Sequence, residues 1–125
     1  PMLMRMVPPG TLLKAVYGET YEGKLTFARQ LGSYPLLIGI PGVYPLHQFY
    51  DVKIVEYGYR SLTAVPFPLD VNTVPRETLE ALPGVGKKRA IRILAKRPFH
   101  TKKEFINAFD DPSIAHAIEE YVQLN

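Results

Sequence analysis

Along the first half of the chain, hydrophobic residues come in short bursts broken by glycine and proline, and no helical period persists. The bursts predict five strands, over Thr11–Tyr17, Lys24–Gln30, Pro35–Ile40, Phe49–Tyr57 and Arg60–Phe67. Within Lys24–Arg29 and Asp51–Glu56 apolar and polar residues roughly alternate, so one face of each strand looks inward and the other is wet. Gly32–Ser33, Pro41–Gly42 and Gly58 mark turns, and "EYGYR" reads as a tight hairpin between the last two strands. Five such strands close most economically into a small barrel.

The pattern changes at "PFPLDVNTVP" (Pro66–Pro75), where three prolines in ten residues exclude a central strand or a helix interior. This stretch divides the chain into residues 1–69 and 70–125. Beyond it the spacing is helical. A short helix from about Pro75 to Ala81 is predicted behind a Thr73 cap, and a second from about Lys87 to Arg97, stopped by Pro98. Thr101 and Glu104 have capping-box spacing, opening a third helix over about 102–109. Asp111 as cap with Pro112 in the first turn begins a fourth, running to about Gln123, with Ile114, Ala117, Ile118, Tyr121 and Val122 at core spacing.

Composition narrows the classes. A chain of 125 residues, 46% hydrophobic, can bury a core of its own. The lack of cysteine excludes disulfides, thiolate zinc or iron-sulfur sites and a cysteine nucleophile, and it fits a reducing, cytoplasmic setting. No apolar run approaches the roughly 18 residues of a membrane span, and Met2–Val7 is too short for a signal-peptide core. The net charge of +3 hides a strong sorting. Lys87, Lys88, Arg89, Arg92, Lys96, Arg97, Lys102 and Lys103 follow one another without an acid, whereas residues 104–125 carry acids and no Lys or Arg.

Where that cationic block begins, the chain reads "LPGVGKKRA" (Leu82–Ala90). Gly84 and Gly86 can adopt positive φ in a tight turn between two steeply crossed helices, with Leu82 and Val85 facing the core and Pro83 stiffening the loop. The amides of Gly84, Gly86 and Lys87 then point outward at the start of the second helix, where unpaired donors and the helix dipole favour an anion. Lys87, Lys88 and Arg89 occupy a first turn in which the dipole favours acids, so these cations call for an anionic partner. Ala90, Ile91, Ile93 and Leu94 are expected to pack inward, with Lys88, Arg92 and Lys96 forming an exposed stripe.

"VNTVPRETLEALPGVGKKRAIRILAKRPF" (Val71–Phe99) resembles the helix-hairpin-helix module of DNA repair proteins and bacterial DNA-uptake receptors, including their Asn-Thr opening. The resemblance implies sequence-independent DNA binding through hairpin amides on backbone phosphates, helped by nearby Lys or Arg. It gives the phosphate role to Gly84, Gly86, Lys87 and Lys88 and the shaping of the hairpin to Pro83 and Val85; Arg89, Arg92 and Lys96 complete the candidate interface. One hairpin is evident. The third and fourth helices would form a degenerate partner, since "DDPSIAHA" lacks the glycines. "LTFARQLGSYPLLIGIPG" and "FYDVKIVEYGYRSLTAVPFPLDVNT" are also similar to the C-terminal tail of archaeal radical S-adenosylmethionine proteins, in which a TRAM- or OB-type barrel precedes the hairpin module. Those enzymes hold their cluster through three cysteines, so this chain would be an accessory part of one. The expected fold is α+β, an N-terminal five-stranded OB/TRAM-like barrel followed by an all-α helix-hairpin-helix domain.

On such a barrel, Tyr17, Tyr34, Tyr50, Tyr57 and Tyr59, with Lys24, Arg29, Lys53 and Arg60, form the pool for base stacking and backbone tracking, unless the tyrosines serve packing. His47, His100 and His116 are too scattered for a metal site, Asp110–Asp111 reads as a helix cap, Glu119–Glu120 as a solvated face, and Ser33, Ser61 and Ser113 lack a nucleophile context. No catalytic residue, metal or cofactor is expected. The expected partner is nucleic acid, DNA in preference to RNA, with a catalytic domain or protein partner beside it. The alternative is a docking or self-association domain using the basic stripe and the acidic final residues.

Overall fold

The computed structural model describes residues 8–30, 37–57 and 61–124. The predicted turns at Gly32–Ser33 and Gly58, and Tyr34, Pro35, Tyr59 and Arg60, lie outside the described residues.

Five strands form a closed barrel: β1 (Leu12–Glu22), β2 (Leu25–Gln30), β3 (Leu37–Pro41), β4 (Phe49–Tyr57) and β5 (Ser61–Pro66), in the order β1-β2-β3-β5-β4 with β4 returning to β1. The β3–β5 pair is parallel and the others are antiparallel. β1 runs beyond its predicted end because it serves two neighbours. Its register shifts between Leu13 and Val16 opposite β4 and between Gly18 and Thr20 opposite β2, and these irregularities bend one long strand enough to close the barrel. In the first of them Ala15 adopts φ 57, its amide donating to the Asp51 carboxylate at 3.0 Å.

The interior is filled by Val16, Ala28, Ile38, Ile40, Val52, Ile54, Leu62 and Ala64. In β4 the inward pair is Val52 and Ile54, as alternation predicts. In β2 the fully buried residues are Thr26 and Ala28, not the larger Leu25 and Phe27. Thr26 is satisfied there: its hydroxyl donates to the Gly42 carbonyl at 2.7 Å and accepts the Tyr44 amide at 3.0 Å. A narrow barrel takes small residues at such positions.

The helices are α1 (Arg76–Ala81), α2 (Gly86–Lys96), α3 (Lys102–Asn107) and α4 (Pro112–Ile118), followed by a 3-10 turn, Glu119–Tyr121. Two predicted caps hold: Thr101 accepts the Glu104 amide at 3.1 Å and Asp111 accepts the Ser113 amide at 3.0 Å. Thr73 does not cap α1. Pro75 is the N-cap, without a side-chain hydrogen bond, and Thr73 belongs to a turn in which the Asp70 carbonyl accepts the amides of Thr73 and Val74. α4 stops short of Gln123 because the chain end is drawn back to the linker. Leu69 pairs with Val122, exchanging bonds with the Tyr121 carbonyl and the Gln123 amide. Within α4, Ala117 lies off the inner face and is exposed, while Ala115, Ile118 and Tyr121 carry the buried face.

Barrel and helices share a core. Val55 and Val65 pack with Leu69, Leu79, Leu82, Val85, Ile93, Phe105 and Ile118. The Tyr121 hydroxyl donates to the Ile54 carbonyl at 3.2 Å and Lys53 Nζ to the Glu120 carbonyl at 2.8 Å. At the other edge, fully buried Thr78 of α1 donates to the Pro41 carbonyl and pairs with the Tyr44 hydroxyl at 2.6 Å. Thr78→Val keeps the shape and removes both bonds, leaving buried polar groups unpaired. It is expected to lower stability by about 1–3 kcal/mol in denaturant titration, with the far-ultraviolet spectrum retained.

Candidate nucleic-acid interface

α1 and α2 are joined by Leu82–Val85, whose two apolar residues are almost fully buried (2% exposed each), as predicted. Gly84 has φ +78 and Gly86 φ +65, a region other residues enter only with strain. The two glycines answer different demands. A Cβ on Gly84 would also press on Ile114 of α4 at 3.3 Å, whereas one on Gly86 would meet nothing within 4 Å, so Gly86 is required by backbone angle alone.

The unit is closed at its base by side chains whose purpose the sequence did not reveal. Asn72 clasps Phe99 from both sides, accepting its amide at 2.7 Å and donating to its carbonyl at 2.9 Å. The Arg97 guanidinium donates to the carbonyls of Val71 and Val74 at 3.2 and 2.8 Å. The Asn-Thr opening is therefore a buckle: Asn72 ties the segment entering α1 to the segment leaving α2.

With Leu82 and Val85 turned inward, the exposed residues of the turn are its two glycines. The Val85 amide is used by the Leu82 carbonyl, but those of Gly84, Gly86 and Lys87 meet no acceptor among the described residues, and no side chain caps α2. Gly84, Gly86, Lys87 and Lys88 are all exposed. Among the described residues neither lysine makes an ion pair or side-chain hydrogen bond. A cleft of about 590 Å³ between the hairpin and strands β4 and β5 is lined by the carboxylates of Glu56 and Glu80 and by Arg89.

The other cations of α2 reach toward the α3–α4 side. Arg89 reaches Asp110 in the α3–α4 loop with two nitrogens, at 3.0 and 3.2 Å, and holds the Gly84 carbonyl with a third at 3.1 Å. Arg92 lies 3.2 Å from the same carboxylate, and Lys96 reaches the Ala108 carbonyl at 3.5 Å. Asp110, read as a cap residue, is thus an ion-pair partner, and Asp111 alone caps. The hydrogen bond from Arg89 holds the Asp110 carboxyl below the usual carboxylate range, and the bonds from Ser113 do the same for Asp111. Both contacts persist above the ordinary carboxylate range and fade as pH falls through these depressed values. Ile91, predicted to pack inward, is 47% exposed: Ala90 and Ile93 already fill the inner face, and Ile91 lies beside Lys87 and Lys88.

The α3–α4 connection is the second turn of a pair. It has no positive-φ glycine, and the N-terminus of α4 is filled by the Asp111 side chain, which accepts from the Ser113 amide and hydroxyl. It offers no comparable seat for an anion.

The stacking pool is largely committed elsewhere. The Tyr50 hydroxyl donates to the Pro45 carbonyl, Arg29 pairs with Glu19 at 2.8 Å, Lys24 with Glu77 at 3.8 Å, and Lys53 lies over the rings of Phe67 and Tyr121. Tyr17 stacks obliquely on Phe49, 58% exposed, beside His47. His116 pairs with Glu119 at 3.1 Å. No metal-binding group of three or more His, Cys, Asp or Glu occurs among the described residues, and no helix among them is long and apolar enough to cross a membrane.

A barrel joined to two helical pairs, one closed by a glycine turn, defines a helix-hairpin-helix protein. The profile of the SAM-like helix-hairpin-helix tandem family matches residues 52–97 and again 76–117, together more than half of the chain, and the protein belongs to that family. Both matches contain the α1–hairpin–α2 unit. Two archaeal relatives, each described as uncharacterized, are similar. One from Archaeoglobus fulgidus is 41% identical over 105 residues, covering 83% of this chain and 19% of the relative. One from Methanocaldococcus jannaschii is 50% identical over 64 residues, covering 50% of this chain and 12% of the relative. The chain thus spans less than a fifth of the curated relatives it matches. No solved structure matches.

Gly86→Ala isolates the backbone requirement, since the added methyl has free space. It is expected to cost about 1–2 kcal/mol in urea denaturation, with Gly86→Asn costing less because asparagine tolerates the left-handed region.

Proposed function

We propose that this chain is a nucleic-acid binding module that grips backbone phosphates at the α1–α2 hairpin, with DNA as its target. The observation that carries the reading is the set of outward amides at Gly84, Gly86 and Lys87 beside two lysines with no partner among the described residues. Helix-terminal amides and the dipole favour a phosphate oxygen, and Lys87 and Lys88 add the charge that makes occupancy favourable. Pro83 and Val85 shape the turn. Arg89 braces it through the Gly84 carbonyl, and Arg92 and Lys96 extend the basic flank.

Such a grip reads the backbone, so binding is weakly selective for sequence and steep in salt. On this reading the chain is the substrate-binding part of a larger enzyme, consistent with relatives several times its length and with the resemblance to radical S-adenosylmethionine proteins. A self-association reading would use basic and acidic surfaces that are partly engaged within the chain, Arg89 and Arg92 with Asp110 and Lys102 with Glu119, which favours an external polyanion.

Lys87→Glu/Lys88→Glu is expected to remove most binding in a mobility-shift or anisotropy assay and to reduce the salt slope by about 2, with the thermal midpoint little changed. A panel of single- and double-stranded DNA and RNA identifies the preferred form. Parent-like binding by the double variant would exclude the hairpin as the grip.

A further inference from the structure

Beside the hairpin, Asp110 draws two arginines from a different helix onto one carboxylate. Arg89 meets both oxygens, at 3.0 and 3.2 Å, and Arg92 meets one at 3.2 Å. Two oxygens of one anion bridged by forked guanidinium donors is also the geometry of an arginine–phosphate contact. Arg89 touches the Gly84 carbonyl with its remaining nitrogen, so this cluster and the hairpin amides are neighbours separated by one guanidinium. All three side chains are open to solvent, 31%, 46% and 50% exposed for Arg89, Arg92 and Asp110, so an exchange of partners requires no unpacking.

We propose that Arg89 and Arg92 form a second phosphate seat, occupied in the free protein by the Asp110 carboxylate acting as an internal phosphate mimic. This inference rests on the phosphate-binding reading of the hairpin and deepens it: the chain limits its own affinity for a phosphodiester backbone. A phosphate approaching α2 competes with Asp110 for the guanidiniums, while Lys87 and Lys88 engage at once. The degenerate α3–α4 turn then has a use. Its own helix start is capped by Asp111, and the turn supplies an anion, Asp110, to α2.

Asp110→Asn tests this, because the amide keeps the shape and removes the charge. With a DNA duplex as probe, Asp110→Asn is expected to bind roughly five- to tenfold tighter than the parent near 0.1 M salt, with a salt slope steeper by about one. Adding Arg92→Gln should return both values toward the parent. Equal or weaker binding by a folded Asp110→Asn protein would overturn the proposal and leave Asp110 as a brace for the hairpin. Survival of the gain in the double variant would overturn it as well. Failure of parent and variant alike to bind any nucleic acid removes the underlying phosphate reading, whereas a binding parent with no gain removes only the masked seat.

Discussion

The structure turns on one backbone constraint: the connection between α1 and α2 must bury Leu82 and Val85 while reversing direction within a few residues. Both side chains reach the shared core, and the chain can manage this only by passing through positive φ at Gly84 and Gly86. Once they are anchored, the intervening peptide groups cannot also turn inward. The amides of Gly84, Gly86 and Lys87 meet no acceptor among the described residues, and no side chain caps α2. Packing thus leaves amides unpaired at a helix start, and the lysines that follow set positive charge beside them.

Everything around the hairpin keeps that geometry fixed. Asn72 and Arg97 close the base of the α1–α2 unit, Ile114 packs under Gly84, and Arg89 holds the Gly84 carbonyl from the side. The barrel is part of the same support. Thr78 fastens α1 to β3, Tyr121 and Lys53 fasten the chain end to β4, and Val55 and Val65 place the outer face of the barrel in the helical core. Backbone donors depend on such support for their position because they have no flexible side chain with which to correct an error.

Features set by local chemistry were legible in the sequence. Gly84 and Gly86 announce positive φ, Thr101 and Asp111 announce caps, Leu82 and Val85 announce the buried side of the turn, and the β4 alternation gives its inner face. What could not be read was decided by neighbours distant in the chain. Thr73 looks like a cap until Asp70 claims the turn. Thr26 is an interior residue only because Gly42 and Tyr44 supply its hydrogen bonds. Ile91 fits a helical core pattern, yet α2 needs only one narrow inner face. Ala117 lies in α4 but off its inner face, which Ala115 and Ile118 fill. The Asn72 clasp had a signal, the Asn-Thr opening, but its meaning needed the position of Phe99.

The sorting of charge into a basic block and an acidic block acquires its meaning from the fold. A chain that places cations over 87–103 and acids after 104 could keep them apart, as two surfaces for two partners. Here the tandem arrangement folds one block onto the other, pairing Asp110 with Arg89 and Arg92 and Glu119 with Lys102. The pairing is uneven. It reaches the middle of α2 and the start of α3 but stops before Lys87 and Lys88, which stand at the outward amides. A modest net charge is thereby concentrated where the backbone already favours an anion, and the field of the helix start and that of the lysines act at the same point. For a polyanion, that coincidence matters more than the total of +3.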